Sequence, residues 1–240
     1  MRLPDRISRV FDISPTEWTA ILLSLRVATV ATLVATPLGI AVAWLLARRE
    51  FWGKALLDAL IHLPLVLPPV VTGYLLLLTF GRRGLVGAWL ADHLGLVFAF
   101  RWTGAALACG IMAFPLLVRP IRLSIEAVDR RLEQAAATLG ASPLSVFLTV
   151  TLPLALPGVL AGMVLGFAKA IGEFGATITF VSNIPGETQT ISSAIYSLIQ
   201  TPDGDTAALR LVVVSILIAT AALVASDWFA RRALKRLHGN

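Results

Sequence analysis

Apolar residues run along this chain in five long stretches separated by short polar or glycine- and proline-rich breaks. The stretches cover residues 19–47, 55–80, 102–125, 153–181 and 207–230. Each is long enough for the roughly 20 apolar residues that an α-helix needs to cross a bilayer. The pattern predicts an all-α integral membrane protein with five transmembrane helices. A sixth membrane element in the N-terminal segment, residues 1–18, is left open. Ser14-Pro15-Thr16-Glu17 reads as the start of the first helix, with Ser14 as cap and Pro15 in its first position.

Composition agrees with that pattern. Hydrophobic residues make up 57% of the 240 and charged residues 14%, where a soluble domain carries about a quarter charged. The first apolar run is too long, and lacks the small-residue cleavage site, for a signal peptide. Lys and Arg near the span ends divide unevenly. One side holds eleven (Arg48, Arg49, Lys54, Arg119, Arg122, Arg130, Arg131, Arg231, Arg232, Lys235, Arg236) and the other seven, three of those in the N-terminal tail. The richer side is expected to face the cytoplasm, with the N-terminus outside and residues 231–240 as a cytoplasmic tail. The net charge of +6 thus belongs to helix ends, and nucleic-acid binding is not expected. Arg26, inside the first span, is expected to snorkel to the outer interface.

Candidate catalytic chemistry is sparse. The sequence contains no G-x-x-x-x-G-K-[ST], G-x-G-x-x-G, H-E-x-x-H, C-x-x-C or G-x-S-x-G. His62, His93 and His238 share no ligand spacing, and His62 reads as structural. Cys109, the only cysteine, lies in an apolar run where a thiol is inert. No metal site, no cofactor in this chain and no enzyme activity are expected.

The loop at residues 130–152 carries the clearest signal. Leu132, Ala135, Ala136 and Leu139 recur at helical spacing and form a narrow apolar face. Gly140 is placed to end that helix in a left-handed conformation. Ser142 and Pro143 are placed to start another. Gln134-Ala135-Ala136, Gly140 and Leu152-Pro153 sit at the spacing of the EAA loop, and the segment resembles that of ABC importer permeases. The resemblance implies a coupling helix that inserts into a cleft of a separate ATPase subunit, with Gln134, Ala135, Ala136, Gly140, Ala141 and Ser142 at the contact. The usual glutamate is Gln134 here, with Glu133 one place earlier, so a charged contact is expected to be weakened.

GFAKAIGEFGATITFVSNIPGETQTISSAIYSLIQTP (166–202) and LPLVLPPVVTGYLLL (63–77) resemble the molybdate permeases of ABC importers, and part of the first is shared with sulfate and thiosulfate permeases. The resemblance spans residues 17–230. It implies a type-1 importer domain over residues 19–230 in a bacterial inner membrane. It further implies a homodimer, two ATPase subunits that bind the ATP, lipid around the spans, and an external binding protein delivering molybdate. Sulfate, thiosulfate or tungstate are the alternatives, and a membrane receptor whose elbow binds a signalling partner is a rival of another class.

Lys169 and Glu173, four residues apart, either flank an anion path or lock helix packing. Thr177 and Thr179 offer hydroxyls to oxyanion oxygens or to their own helix. Pro64, Pro68 and Pro69 break the second span, and residues 67–72, with Pro68, Pro69 and Thr72, are the expected gate. Asn183, Pro185 and Glu187 lie in an outer turn cluster and are candidate contacts for the binding protein. The helix-spaced residues that follow, Ile191 to Ile199, read as an interfacial helix. The repeat of LPLVLP (63–68) and LPLALP (152–157) suggests paired half-domains.

Overall fold

The computed structural model describes residues 13–237, of which residues 226–237 are described by backbone alone. Among these the chain is all helix, with no strand. Ten helices follow one another: α1 (Pro15–Arg48), α2 (Lys54–Val66), α3 (Pro69–Phe80), α4 (Leu85–Leu94), α5 (Trp102–Glu126), α6 (Arg130–Thr138), α7 (Pro143–Ile171), α8 (Gly175–Val181), α9 (Ile191–Leu198) and α10 (Asp205–Leu237). A π-helical turn, Phe147–Thr151, lies inside α7. Of the N-terminal segment of residues 1–18, proposed above as a tail or sixth element, residues 15–18 belong to α1, while residues 1–12 and His238 lie outside the described residues.

The first helix begins as its sequence requires. Ser14 Oγ accepts a hydrogen bond from Glu17 N at 3.2 Å, and Ser14 N donates to the Glu17 carboxylate at 2.6 Å. That carboxylate also accepts from Arg210 of α10, an ion pair of 2.9 Å. The starts of α1 and α10 are therefore joined at one end of the bundle. At the same end Ile191 N donates to Ser24 Oγ at 2.7 Å, and Ile191 and Ala194 of α9 pack with Ala20, Ile21 and Leu211. At the opposite end α1 finishes at Arg48, near the end of α5, where Asp58 of α2 pairs with Arg122 at 3.0 Å.

Helices α1, α5 and α7, and residues 205–225 of α10, are each long and apolar enough to cross a membrane. Neither α2 nor α3 is long enough alone, and the two meet the same requirement only when taken together. The sequence predicted a broken span over residues 55–80, but the break is a turn of 115°, far more than a kink. Pro68 and Pro69 remove two successive backbone donors, and a residue before proline is pushed into extended backbone. Leu67 (ψ 144) and Pro68 (ψ 133) are both extended.

The fourth stretch also differs from a span over residues 153–181. Its helix starts ten residues earlier, at Pro143, and stops at Ile171. Residues 172–174 separate it from α8. The two LP-rich hexapeptides do not play matching parts, since the first ends α2 at a sharp turn while the second continues α7. The last helix runs on through Leu237, past the end of the expected span.

Close packing of α7 on α5 rests on glycines that line one face of α7. Gly158, Gly162 and Gly166 recur every four residues, the small-residue spacing that lets membrane helices approach. A Cβ at Gly162 would lie 2.6 Å from the carbonyl oxygen of Leu117, and one at Gly158 2.6 Å from that of Pro120. Leu117, Ile121 and Ile125 are completely buried beside Val159 and Ala155. Gly162→Val is expected to destabilise the protein by about 1–3 kcal/mol, the cost of overpacking, seen as a lowered thermal unfolding temperature in detergent. Gly172→Ala, whose Cβ would meet nothing nearer than 3.8 Å, leaves that temperature unchanged.

Candidate functional site: an exposed elbow and a capped membrane break

The elbow between α5 and α7 is held from beneath and bare above. Asp129 caps α6 by accepting from Arg131 N at 2.9 Å. Gly140 has φ +88, and Ala141 N donates to Ala136 O at 3.2 Å across the helix end. Ser142 Oγ accepts from Ser145 N, and Pro143 opens α7. No residue of α6 is buried. Leu139 is 90% exposed, Leu144 is exposed, and Leu132 is half exposed. Gln134 and Ala135 are exposed beside them. This small apolar face is covered by nothing among the described residues.

The underside of the elbow is fastened by one carboxylate. Glu133 Oε1 accepts from Arg48 Nη2 at 3.0 Å, from Arg48 Nε at 3.2 Å and from Thr151 Oγ1 at 2.6 Å. The same Arg48 nitrogen donates to Val128 O at 3.1 Å. Arg48 ends α1, and Thr151 closes the π-helical turn of α7. Thus Glu133 clamps α6 to two spans at once. With side-chain exposures of 9% for Arg48 and 18% for Glu133, the pair is poorly screened, and losing either partner leaves a charge uncompensated.

Deeper in the fold, the second cluster forms around the gap between α7 and α8. Lys169 Nζ donates to Glu173 Oε2 at 2.7 Å, and Glu173 Oε1 accepts from Ala176 N at 3.0 Å. The Glu173 side chain is 1% exposed. Glu173 therefore lies just beyond α7 rather than on it, pairing with its cation and closing the start of α8. Thr177 donates to Phe174 O and Thr179 to Gly175 O, so both hydroxyl protons go to backbone carbonyls. Helix α3 lies on α8 through its small residues. A Cβ on Gly175 would meet Pro69, and one on Gly73 would meet Ala176 and Thr179. The Thr72 hydroxyl is buried on the same helix without a partner. Pro68, Pro69, Thr72, Thr177 and Thr179 are thus gathered where α3 meets α8, with Lys169 and Glu173 at its root.

Above α8, Thr188 braces the turn by accepting from Ile184 N and donating to Ser182 O. Pro185 and Glu187 are exposed on it. Asn183 is turned inward, with Nδ2 donating to Ser197 Oγ at 2.7 Å.

Comparison with known proteins decides what this arrangement belongs to. Residues 35–235 match the family model described as "Binding-protein-dependent transport system inner membrane component". The chain belongs to this family. It is 60% identical over 220 residues to the molybdenum transport system permease protein ModB of Escherichia coli (strain K12), covering 92% of this chain and 96% of that one. It is 34% identical over 215 residues to the probable sulfate transport system permease protein cysT of Nephroselmis olivacea, covering 90% and 75%. The fold matches a bacterial ABC transporter involved in the import of alginate, with TM-score 0.73 and 18% identity over 95% of this chain and 83% of the other.

As a family member the chain is a multi-pass inner-membrane permease without an ATPase of its own. The family's motif position is Gln134, exposed on α6, while the neighbouring Glu133 makes the charged anchor. Sequence reading missed Glu133, Arg48 and Thr151 as a unit. The acidic residue was visible, but its partners lie 85 and 18 positions away.

Two outcomes follow from this geometry. Glu133→Ala removes the common acceptor and is expected to cost roughly 2–4 kcal/mol, less than a fully buried pair, read as lost thermal stability. Thr151→Val, which removes one hydrogen bond, is expected to cost about 1 kcal/mol. In the membrane, Glu173→Gln strands the Lys169 charge, whereas Lys169→Met combined with Glu173→Gln keeps an acceptor for Ala176 N and removes both charges. The double variant is therefore expected to be the more stable, by thermal unfolding and by yield of assembled protein.

Proposed function

We propose that this chain is the membrane-spanning subunit of an ATP-driven molybdate importer, in which two copies form the passage and two separate ATPase subunits dock on the elbows. An external binding protein delivers the anion. The single observation that carries the machine is the elbow itself, whose apolar face of Leu132, Ala135 and Leu139 is bare while Glu133 fastens its other side to α1 and α7. Anchored below and uncovered above, it can pass a displacement of its partner to the spans. Identity of 60% with a molybdenum permease against 34% with a sulfate permease supports molybdate as cargo.

The elbow lies at the end of the bundle bearing Arg48, Lys54, Arg122 and Arg130, which is the cytoplasmic end by the positive-inside rule. Closure of the ATPase pair on ATP draws the two elbows together, and α7 carries that movement to the break at residues 172–174. There α8 and α3 form the wall of the anion path. With their hydroxyl protons given to carbonyls, Thr177 and Thr179 leave the wall only weakly attractive to a dianion, as release requires. Pro185 and Glu187, exposed on the braced turn at the other end, meet the binding protein.

The test is ATP hydrolysis by the chain and its ATPase in lipid vesicles, with molybdate-loaded or sulfate-loaded binding protein outside. Stimulation by the molybdate-loaded protein alone, lost in Gly140→Asp because φ +88 strains any L side chain, is the expected result. Stimulation by the sulfate-loaded protein would reassign the cargo, and no assembly with an ATPase would overturn the reading.

A further inference from the structure

A cavity of about 630 Å³ opens between α1, α2 and α5. Its lining is aliphatic and aromatic, including Val30, Val34, Leu38, Leu60 and Trp102, with Thr103 its one hydroxyl. Val34, Leu38 and Leu60 are exposed along its open side. At one mouth stands Arg26, one helical turn before Val30, its guanidinium carbon 3.7 Å from the centroid of the Trp102 ring. Arg26 is thus held over the Trp102 ring at the rim of the groove. Among the described residues it forms no ion pair with a carboxylate.

Depth gives this cation its meaning. Counting back from Arg48 at 1.5 Å per residue, Arg26 lies about 33 Å along α1, which is close to the ~30 Å hydrocarbon thickness. It stands at the head-group level of the leaflet opposite the elbow. From Arg26 to Leu38 the groove descends about 18 Å, roughly the ~15 Å depth of one leaflet. A cation at the interface followed by an apolar channel one leaflet deep has the chemistry of an anionic head group above an acyl chain. A free oxyanion would use only the exposed end of Arg26 and leave the channel unfilled.

We propose that this groove is a phospholipid site, with the head-group phosphate on Arg26 and an acyl chain along Val30, Val34 and Leu38. The bound lipid fills the space between α2 and the α1–α5 pair, and so supports the short helix that leads into the 115° turn. The site stands whichever anion the protein carries.

The assembled transporter with its ATPase, purified in detergent, is irradiated with phosphatidylglycerol bearing a diazirine on one acyl chain, and labelled peptides are mapped. Label is expected on the groove-lining segments of α1 and α5, competed by unlabelled phosphatidylglycerol and not by glycerol phosphate. Arg26→Gln lowers it roughly tenfold, the loss of one charge-assisted contact. Gly110→Leu, which fills the groove without touching Arg26, removes it. Should either variant fail to assemble, competition in the unaltered protein decides. Label spread evenly over all apolar faces, or competed equally by glycerol phosphate, overturns the proposal. So does an unlabelled groove in which Leu38→Cys forms a disulfide between two copies, for then a second chain covers it.

Discussion

Hydrocarbon offers no water to a backbone group that a broken helix leaves unpaired, and this chain breaks a helix beside Glu173. The carboxylate answers two needs at once. One oxygen accepts from Ala176 N and starts α8, and the other is neutralised by Lys169 at 2.7 Å. Neither half works alone, because an uncompensated charge at that depth is as costly as an unpaired amide. With α8 held at a defined angle, Gly175 and Ala176 can receive Pro69 and Gly73, and α3 has a surface to lie on. The helix that follows the 115° turn thus rests on a surface whose start is closed by the Glu173 carboxylate.

The same device recurs at both ends of the bundle. Glu17 caps α1 through Ser14 N and reaches across to Arg210. Glu133 accepts from Arg48 and from Thr151. In each case one glutamate neutralises a cation and accepts a second hydrogen bond, from a nearby backbone amide at Glu17 and from the distant Thr151 hydroxyl at Glu133. Apart from the Asp58–Arg122 pair, close approach of the spans rests on small residues, as along Gly158, Gly162 and Gly166, where contact carries little direction. Apolar packing sets the distance between helices, and the three carboxylates tie down the particular ends that must stay together.

Much of this was readable in the chain. Five apolar stretches, the Ser14 and Ser142 caps and the Gly140 turn are local features, and their residues carry their own geometry. The helix–turn–helix elbow was legible through its caps and its glycine. The size of the bend at Pro68-Pro69 was not, because two prolines forbid a continuous helix without saying where the next one will rest. That choice belongs to Gly73 and Gly175, about a hundred residues apart. The role of Glu133 was not legible for a similar reason, since Arg48 lies on a span that the motif does not include. Arg26 needed Trp102 to give it a place. The glycine spacing on α7 was present in the sequence and went unread beside the more specific motif that follows it.

A lever transmits movement only if it is stiff along its length and yields at one end. Helix α7 is 29 residues long, about 44 Å at 1.5 Å per residue, and α5 supports it along the glycine face. Its root contains a π-helical turn, a common place for a helix to flex. Here that turn is pinned by the Thr151 bond to Glu133 and by the edge of Trp44 against Phe147. At the far end Gly172 has open space around its α-carbon and no side chain of its own. Compliance therefore lies at residues 172–174 and not at the root. In the proposed importer a push on the elbow is delivered where α8 and α3 meet, and Glu173, which bonds on both sides of the gap, keeps the start of α8 paired.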